Sequence, residues 1–168
     1  MLKAILDNVQ IAPQDREGKA MTRRSKREIQ CPCGVCFEVT LYESVNVRLD
    51  PDLKGELLDG RLNLATCPEC GRQQRVEIDL FYHDMNRKIA IWVFPEERKD
   101  QATEITREMK DMGTDIEALL SRRLLEHGGP PTRLERVVDY SHYLANPHIV
   151  FGLDELAELL AQLEEGNQ

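Results

Sequence analysis

Cys31-Pro32-Cys33-Gly34-Val35-Cys36 and Cys67-Pro68-Glu69-Cys70-Gly71 hold all five cysteines of the 168-residue chain, and the rest of the sequence is read around them. A tetrahedral Zn²⁺ needs four thiolate or imidazole ligands, and one tight cysteine turn delivers two of them. Two such turns, each running into a β-patterned segment, read as the halves of one metal site with a cysteine to spare. The second turn is regular. Pro68 fixes φ, and Gly71 can adopt the left-handed conformation that aims backbone N–H groups at sulfur. In the first turn two pairings are open. Cys33 with Cys36 has C-x-x-C spacing, whereas Cys31 with Cys33 needs a tighter C-x-C bite. Geometry favours the former, so the expected ligands are Cys33, Cys36, Cys67 and Cys70, with Cys31 as the alternative.

Beyond the first turn the odd positions Phe37, Val39, Leu41, Val45, Val47 and Leu49 are apolar and the even ones largely polar, which is the period of a half-buried strand. The alternation fails at Glu43, so either one bulged strand or two short ones is expected. Asp50-Pro51 reads as the N-cap and first position of a short helix with Leu53, Leu57 and Leu58 inward and Gly60 at its stop. Leu62 to Thr66, Gln73 to Tyr82 and Lys88 to Phe94 are further strands, with a reversal at His83 to Arg87, and Pro95 ends the last. An antiparallel sheet of three or four strands follows.

The period then becomes helical. Ile105, Met109, Met112, Ile116, Leu119, Leu120 and Leu124 recur every three to four residues between Glu96 and His127, with Gly113 a candidate interruption. Gly128-Gly129-Pro130-Pro131 is a stop, and Thr132 with Glu135 forms a capping box for a second helix carrying Leu134, Val137, Val138 and Leu144. Asp154 caps a final helix striped by Leu156, Leu159, Leu160 and Leu163. The first twenty residues show no sustained period and read as an arm, directly after which Met21 offers a second translation start.

Composition excludes several classes. No run approaches the roughly 18 to 20 apolar residues of a membrane helix, and Asp7, Asn8 and Gln10 break the apolar centre that a signal peptide would need. A cytoplasmic protein is expected, and in that reducing compartment close cysteine pairs serve metals or redox chemistry more often than structural disulfides. The net charge of −8 opposes non-specific nucleic-acid binding by the whole chain. The local basic run Arg23, Arg24, Lys26 and Arg27 is nonetheless a candidate nucleic-acid contact.

The same residues imitate other chemistries. A thioredoxin-like Cys67/Cys70 pair wants a helix N-terminus, but a strand pattern follows. A zinc deaminase pairs a ligand-x-Glu element with P-C-x-x-C. Cys36-Phe37-Glu38 imitates the first, but Thr66 stands where proline should precede Cys67. Tyr82-His83-Asp84 reads as a strand-end turn in which Asp84 accepts from backbone N–H groups. Asp139, Ser141 and His142 are not a triad, because adjacent helical residues point about 100° apart.

With these residues laid out, the chain resembles the CpXC family. The likeness is carried from about Ile29 to Pro95 by Cys31-Pro32, Ser44-Val45-Asn46-Val47, Asp50-Pro51-Asp52-Leu53-Lys54, Leu58-Asp59-Gly60-Arg61-Leu62-Asn63, Cys67-Pro68-Glu69-Cys70-Gly71 and Leu80-Phe81-Tyr82-His83-Asp84-Met85. Val150-Phe151-Gly152-Leu153-Asp154-Glu155-Leu156 is a second echo. The resemblance implies a zinc-binding domain without an established activity. The family's first turn is usually C-P-x-C-G, from which Cys33 directly after Pro32 departs.

The expected architecture is α+β: a zinc-ribbon-like antiparallel sheet with a short inserted helix and a helical C-terminal region. Residues 1–28 form the arm, 29–95 the ribbon domain, and 96–168 a helical region packing on the same core. The expected function is a structural Zn²⁺-binding, non-enzymatic module that binds a protein partner, with a nucleic-acid-associated ribbon and a deaminase-like enzyme as alternatives.

Overall fold

The computed structural model describes residues 22–127 and 142–165. The arm before residue 22, the stop at residues 128–131 and the capping box of Thr132 and Glu135 lie outside the described residues, as do Leu134, Val137, Val138, Asp139 and Ser141.

The described chain is α+β, as the periodicities require. Its strands are β1 (Arg24–Gln30), β2 (Cys36–Tyr42), β3 (Ser44–Asn46), β4 (Leu64–Thr66), β5 (Gln73–Arg75), β6 (Leu80–Asp84), β7 (Ile89–Phe94) and β8 (His148–Phe151). Its helices are α1 (Pro51–Leu58), α2 (Ala102–His127, entered through a 3₁₀ segment at Glu96–Gln101) and α3 (Leu153–Glu165). Two antiparallel hairpins, β1–β2 and β4–β5, stand beside a four-stranded sheet of order β3-β6-β7-β8. That sheet is mixed: β6 and β7 pair antiparallel, while β3 joins β6 and β8 joins β7 in parallel. Period 2 reports which face a side chain takes and is blind to strand direction. The crossovers through α1 and α2 make the two parallel edges.

Side chains of successive strand residues alternate between faces, and here both faces are covered. Val45, Leu80, Tyr82, Ile91, Val93 and Val150 pack with Leu53 and Leu57 of α1 and with Leu156 and Leu160 of α3. Leu159 and Leu163 lie against the same cluster, so the expected leucine stripe of α3 faces the core. On the opposite face Phe94 and Phe151 meet Ile105 and Met109 of α2, with Trp92 and Met112 alongside. The sheet is thus the middle of three layers. β7, buried at every position except Trp92, is its centre.

Two local expectations change, and one open alternative is decided. Arg24 to Gln30 is a strand, so the arm boundary expected at residue 28 falls inside β1. The alternation around Glu43 resolves into two strands in different sheets, β2 and β3, with a bend between them. Asp50 precedes α1 without capping it through its side chain; its carboxylate accepts from the Thr22 hydroxyl instead.

Gly113 does not break α2, which runs through it. Gly55, inside α1, is a more ordinary helical glycine: exposed, with nothing within 4 Å of where a Cβ would stand. Gly55→Ala removes backbone freedom from the unfolded chain without a steric cost. It is expected to raise stability by about 0.5–1 kcal/mol in urea unfolding.

Candidate metal centre

Each cysteine turn closes one hairpin. Gln30 pairs with Cys36, leaving residues 31–35 as the first loop, and Thr66 pairs with Gln73, leaving 67–72 as the second. The loops are built alike. Cys31 N–H donates to the Val35 carbonyl (2.8 Å), as Cys67 N–H does to Arg72 (2.8 Å). Gly34 N–H returns to the Cys31 carbonyl (2.8 Å), as Gly71 N–H does to Cys67 (3.0 Å). Both glycines sit at positive φ, +94° and +69°, where a Cβ would be strained. In each loop the first cysteine is buried, Cys31 and Cys67 at 2% exposure, and the second, Cys33 and Cys70, is exposed. The first loop is one residue shorter, which turns C-P-x-C-G into Cys31-Pro32-Cys33-Gly34 and makes the tighter bite workable.

The loops meet. The Cys31 and Cys70 sulfurs are 3.6 Å apart and those of Cys33 and Cys67 3.7 Å apart. All four sulfurs lie within 4.8 Å of one another. A tetrahedral ion with metal–sulfur bonds of about 2.3 Å holds its sulfurs roughly 3.8 Å apart, so the two shorter contacts already have that spacing. Of the expected ligands, Cys33, Cys67 and Cys70 are in this group. Cys36 is not, and Cys31 stands in its place. Cys36 opens β2 on the same face as Glu38 and Thr40, the exposed face of that strand.

The two buried thiols of the cluster are shifted in opposite directions. The Cys33 backbone N–H draws the Cys31 thiol down, but burial and the sulfurs of Cys33, Cys70 and Cys67 outweigh it and push it up to about 12. The Cys70 backbone N–H acts on Cys67 against burial; helped by the Glu69 N–H and the sulfurs of Cys31 and Cys70, it draws that thiol down to about 7. One sulfur gives up its proton readily while a neighbour keeps it. A divalent cation at the centre would favour the thiolate at all four.

A polar clip ties the hairpins together. The Asn63 side chain accepts from Tyr42 N–H (2.8 Å) and donates to the Tyr42 carbonyl (3.0 Å), and its own carbonyl accepts from Val76 N–H (2.9 Å). The end of β2 is thereby joined to both flanks of the β4–β5 hairpin. Asn63 is buried at φ +55°, a conformation Asn tolerates better than most residues. An asparagine directly before a strand, inside an apolar run, was the sequence signal for it.

The other candidates are placed apart from the sulfurs. The basic residues are engaged along β1: Arg23 with Glu43 (2.6 Å), Lys26 with Glu38 (2.7 Å), Arg27 with Glu43 (3.5 Å), and Arg24 over the Tyr42 ring (5.0 Å). Glu38 therefore faces Lys26 on the outer side of the hairpin. Asp84 accepts from Asn86 and Arg87 N–H groups (3.1 and 3.2 Å) and Tyr82 is buried on the sheet, the turn the sequence predicts.

His83 is not among the candidate ligands. Its Nε2 lies 2.7 Å from the Tyr143 hydroxyl, and its ring stacks between Phe81 and Tyr143. Burial lowers its pKa from 6.5, opposed by the Asp84 charge. Below pH 6.5 the unfolded chain binds a proton that the folded protein resists, so His83 subtracts stability as pH falls through 6.5 toward its folded value. The melting temperature should therefore fall more between pH 7.5 and 5.5 in the natural protein than in His83→Gln. Equal falls would contradict that role.

A scan against family models matches the CpXC protein family over residues 29–167. The chain belongs to the CpXC family. The match extends through the helical region to the end of α3, beyond the stretch from Ile29 to Pro95 that carries the sequence resemblance. Comparison with curated proteins and with solved structures found no match. Among the described residues of this CpXC protein no helix is long and apolar enough to cross a membrane.

Proposed function

We propose that this CpXC protein is a cytoplasmic, non-enzymatic interaction module whose two hairpins form a zinc ribbon held by Cys31, Cys33, Cys67 and Cys70. The observation that carries the reading is the convergence of four sulfurs from two matched loops. A tetrahedral ion with four thiolates has its coordination filled, which is the arrangement of structural zinc, whereas catalytic zinc keeps a position for water or substrate. All-sulfur coordination also favours Zn²⁺ over oxygen-preferring Mg²⁺ or Ca²⁺. The deaminase pattern needs Cys36 as ligand and Glu38 beside it, but both project from the outer face of β2, with Glu38 paired to Lys26.

The two hairpins supply the ribbon, and α1, α2 and α3 pack their apolar faces on the four-stranded sheet beside it, so the metal shapes a surface instead of a reaction centre. A tagged pull-down from the native host, compared with a Cys67→Ser control, tests this. A protein partner captured only by the metal-loaded form is the expected result. Nucleic acid recovered in its place, with salt-dependent binding lost on neutralising Arg23, Arg24, Lys26 and Arg27, would overturn it.

A further inference from the structure

Each buried sulfur of the cluster faces an exposed sulfur from the opposite loop. Cys31 lies 3.6 Å from Cys70, and Cys33 lies 3.7 Å from Cys67. Cys33 and Cys70 are exposed, so one member of each pair is open to a small oxidant while the other waits behind it. Forming a disulfide requires the sulfurs to close to about 2.05 Å, a short movement from this starting point. The two loops also contribute one exposed and one buried sulfur each, so both contacts run between hairpins.

Resting on the zinc reading above, we propose that the centre is also an oxidation site: hydrogen peroxide converts the pairs Cys33–Cys67 and Cys31–Cys70 into cross-loop disulfides and expels the metal. The exposed Cys33 thiolate attacks peroxide, an S–O bond forming as the O–O bond breaks and hydroxide leaves. The Cys67 thiolate then attacks the resulting sulfenic sulfur; the S–S bond forms as S–O breaks, and a second hydroxide departs. Cys70 and Cys31 react likewise. Each disulfide consumes two thiolates and one peroxide. The products are poor zinc ligands, so Zn²⁺ passes to solution. Because both bonds cross between the loops, the hairpins remain joined after the ion has gone, and reductant with zinc restores the starting state.

The test uses the zinc-loaded full chain carrying Cys36→Ser, which removes the fifth thiol as a source of scrambling. Zinc content is measured first, then released zinc is followed with a chromogenic indicator during peroxide titration, and disulfides are mapped by non-reducing peptide mass spectrometry. The expected result is about one equivalent of zinc released in step with Cys33–Cys67 and Cys31–Cys70 linkages, with far-UV circular dichroism retained and zinc uptake recovered by dithiothreitol. Absence of zinc before oxidation would overturn the metal reading and this inference with it. Zinc present at the start but retained under peroxide, or released with a Cys67–Cys70 linkage or sulfinic acids in place of cross-loop disulfides, would overturn the inference alone.

Discussion

Cys67→Ser is expected to lose the bound metal and, with it, the order of both hairpins, while the four-stranded sheet stays folded. The asymmetry follows from where apolar surface is buried. β6 and β7 lie between two side-chain clusters, with Leu80, Tyr82, Ile91 and Val93 at 2% exposure or less. β1 and β5 have no fully buried residue, and β2 and β4 have one each, Leu41 and Ala65. An isolated two-stranded hairpin is marginal in water. Structural zinc supplies folding free energy on the order of 10 kcal/mol in small domains, enough to decide whether such hairpins form. Amide hydrogen exchange should show protection lost in residues 24–42 and 64–75 of the variant and kept in 80–84 and 89–94. Unchanged protection throughout would show that the hairpins stand without the ion.

The second large effect concerns Gly113. Ala is the better helix former by about 1 kcal/mol, which would favour Gly113→Ala in a helix facing solvent. Gly113 is buried, however, and a Cβ there would lie 2.0 Å from the Ala145 carbonyl oxygen and 3.1 Å from its carbonyl carbon. The obstacle is backbone and cannot rotate away, so α2 and the helical segment at residues 142–145 would have to separate. Overpacking of this severity costs about 3 kcal/mol or more, which outweighs the propensity gain. We expect a net loss of at least about 2 kcal/mol in chemical denaturation, opposite in sign to Gly55→Ala. A variant as stable as the natural protein would show that this close approach does not hold in solution.

Gly55 and Gly113 look alike in the sequence, and only packing separates them. Helical period alone located α2, but only the neighbour across the interface explains why Gly113 interrupts nothing. Strand period located β2, which presents one apolar face, and the apolar run before Pro95 located β7, which is covered on both faces; the single strand expected over Gln73 to Tyr82 divides instead into β5 and β6, which belong to different sheets. Strand period did not reveal β1, whose residues Arg24 to Gln30 are mostly exposed and read as a charged tail; their strand conformation comes from pairing with β2, a partner twelve or more residues away along most of the ladder. It also could not distinguish a parallel from an antiparallel neighbour, so the mixed sheet had to be seen.

The cysteines are a case in which the signal was present. Phe37, Val39 and Leu41 fix the inner face of β2, and Cys36 has the opposite parity, shared with Glu38 and Thr40. Aligning the loops on Cys-Pro and Cys-Gly likewise matches Cys31 to Cys67 and Cys33 to Cys70, with one residue missing. The C-x-x-C rule of spacing favoured Cys36 because it counts residues and takes no account of the face on which a strand residue emerges.

Zinc content of purified Cys31→Ser and Cys36→Ser, measured side by side under reducing conditions, tests the centre most directly. Cys36→Ser should retain about one zinc per chain and Cys31→Ser should lose it. The reverse pattern, or a natural protein whose two hairpins stay ordered under reducing conditions with no zinc, would contradict the four-sulfur site.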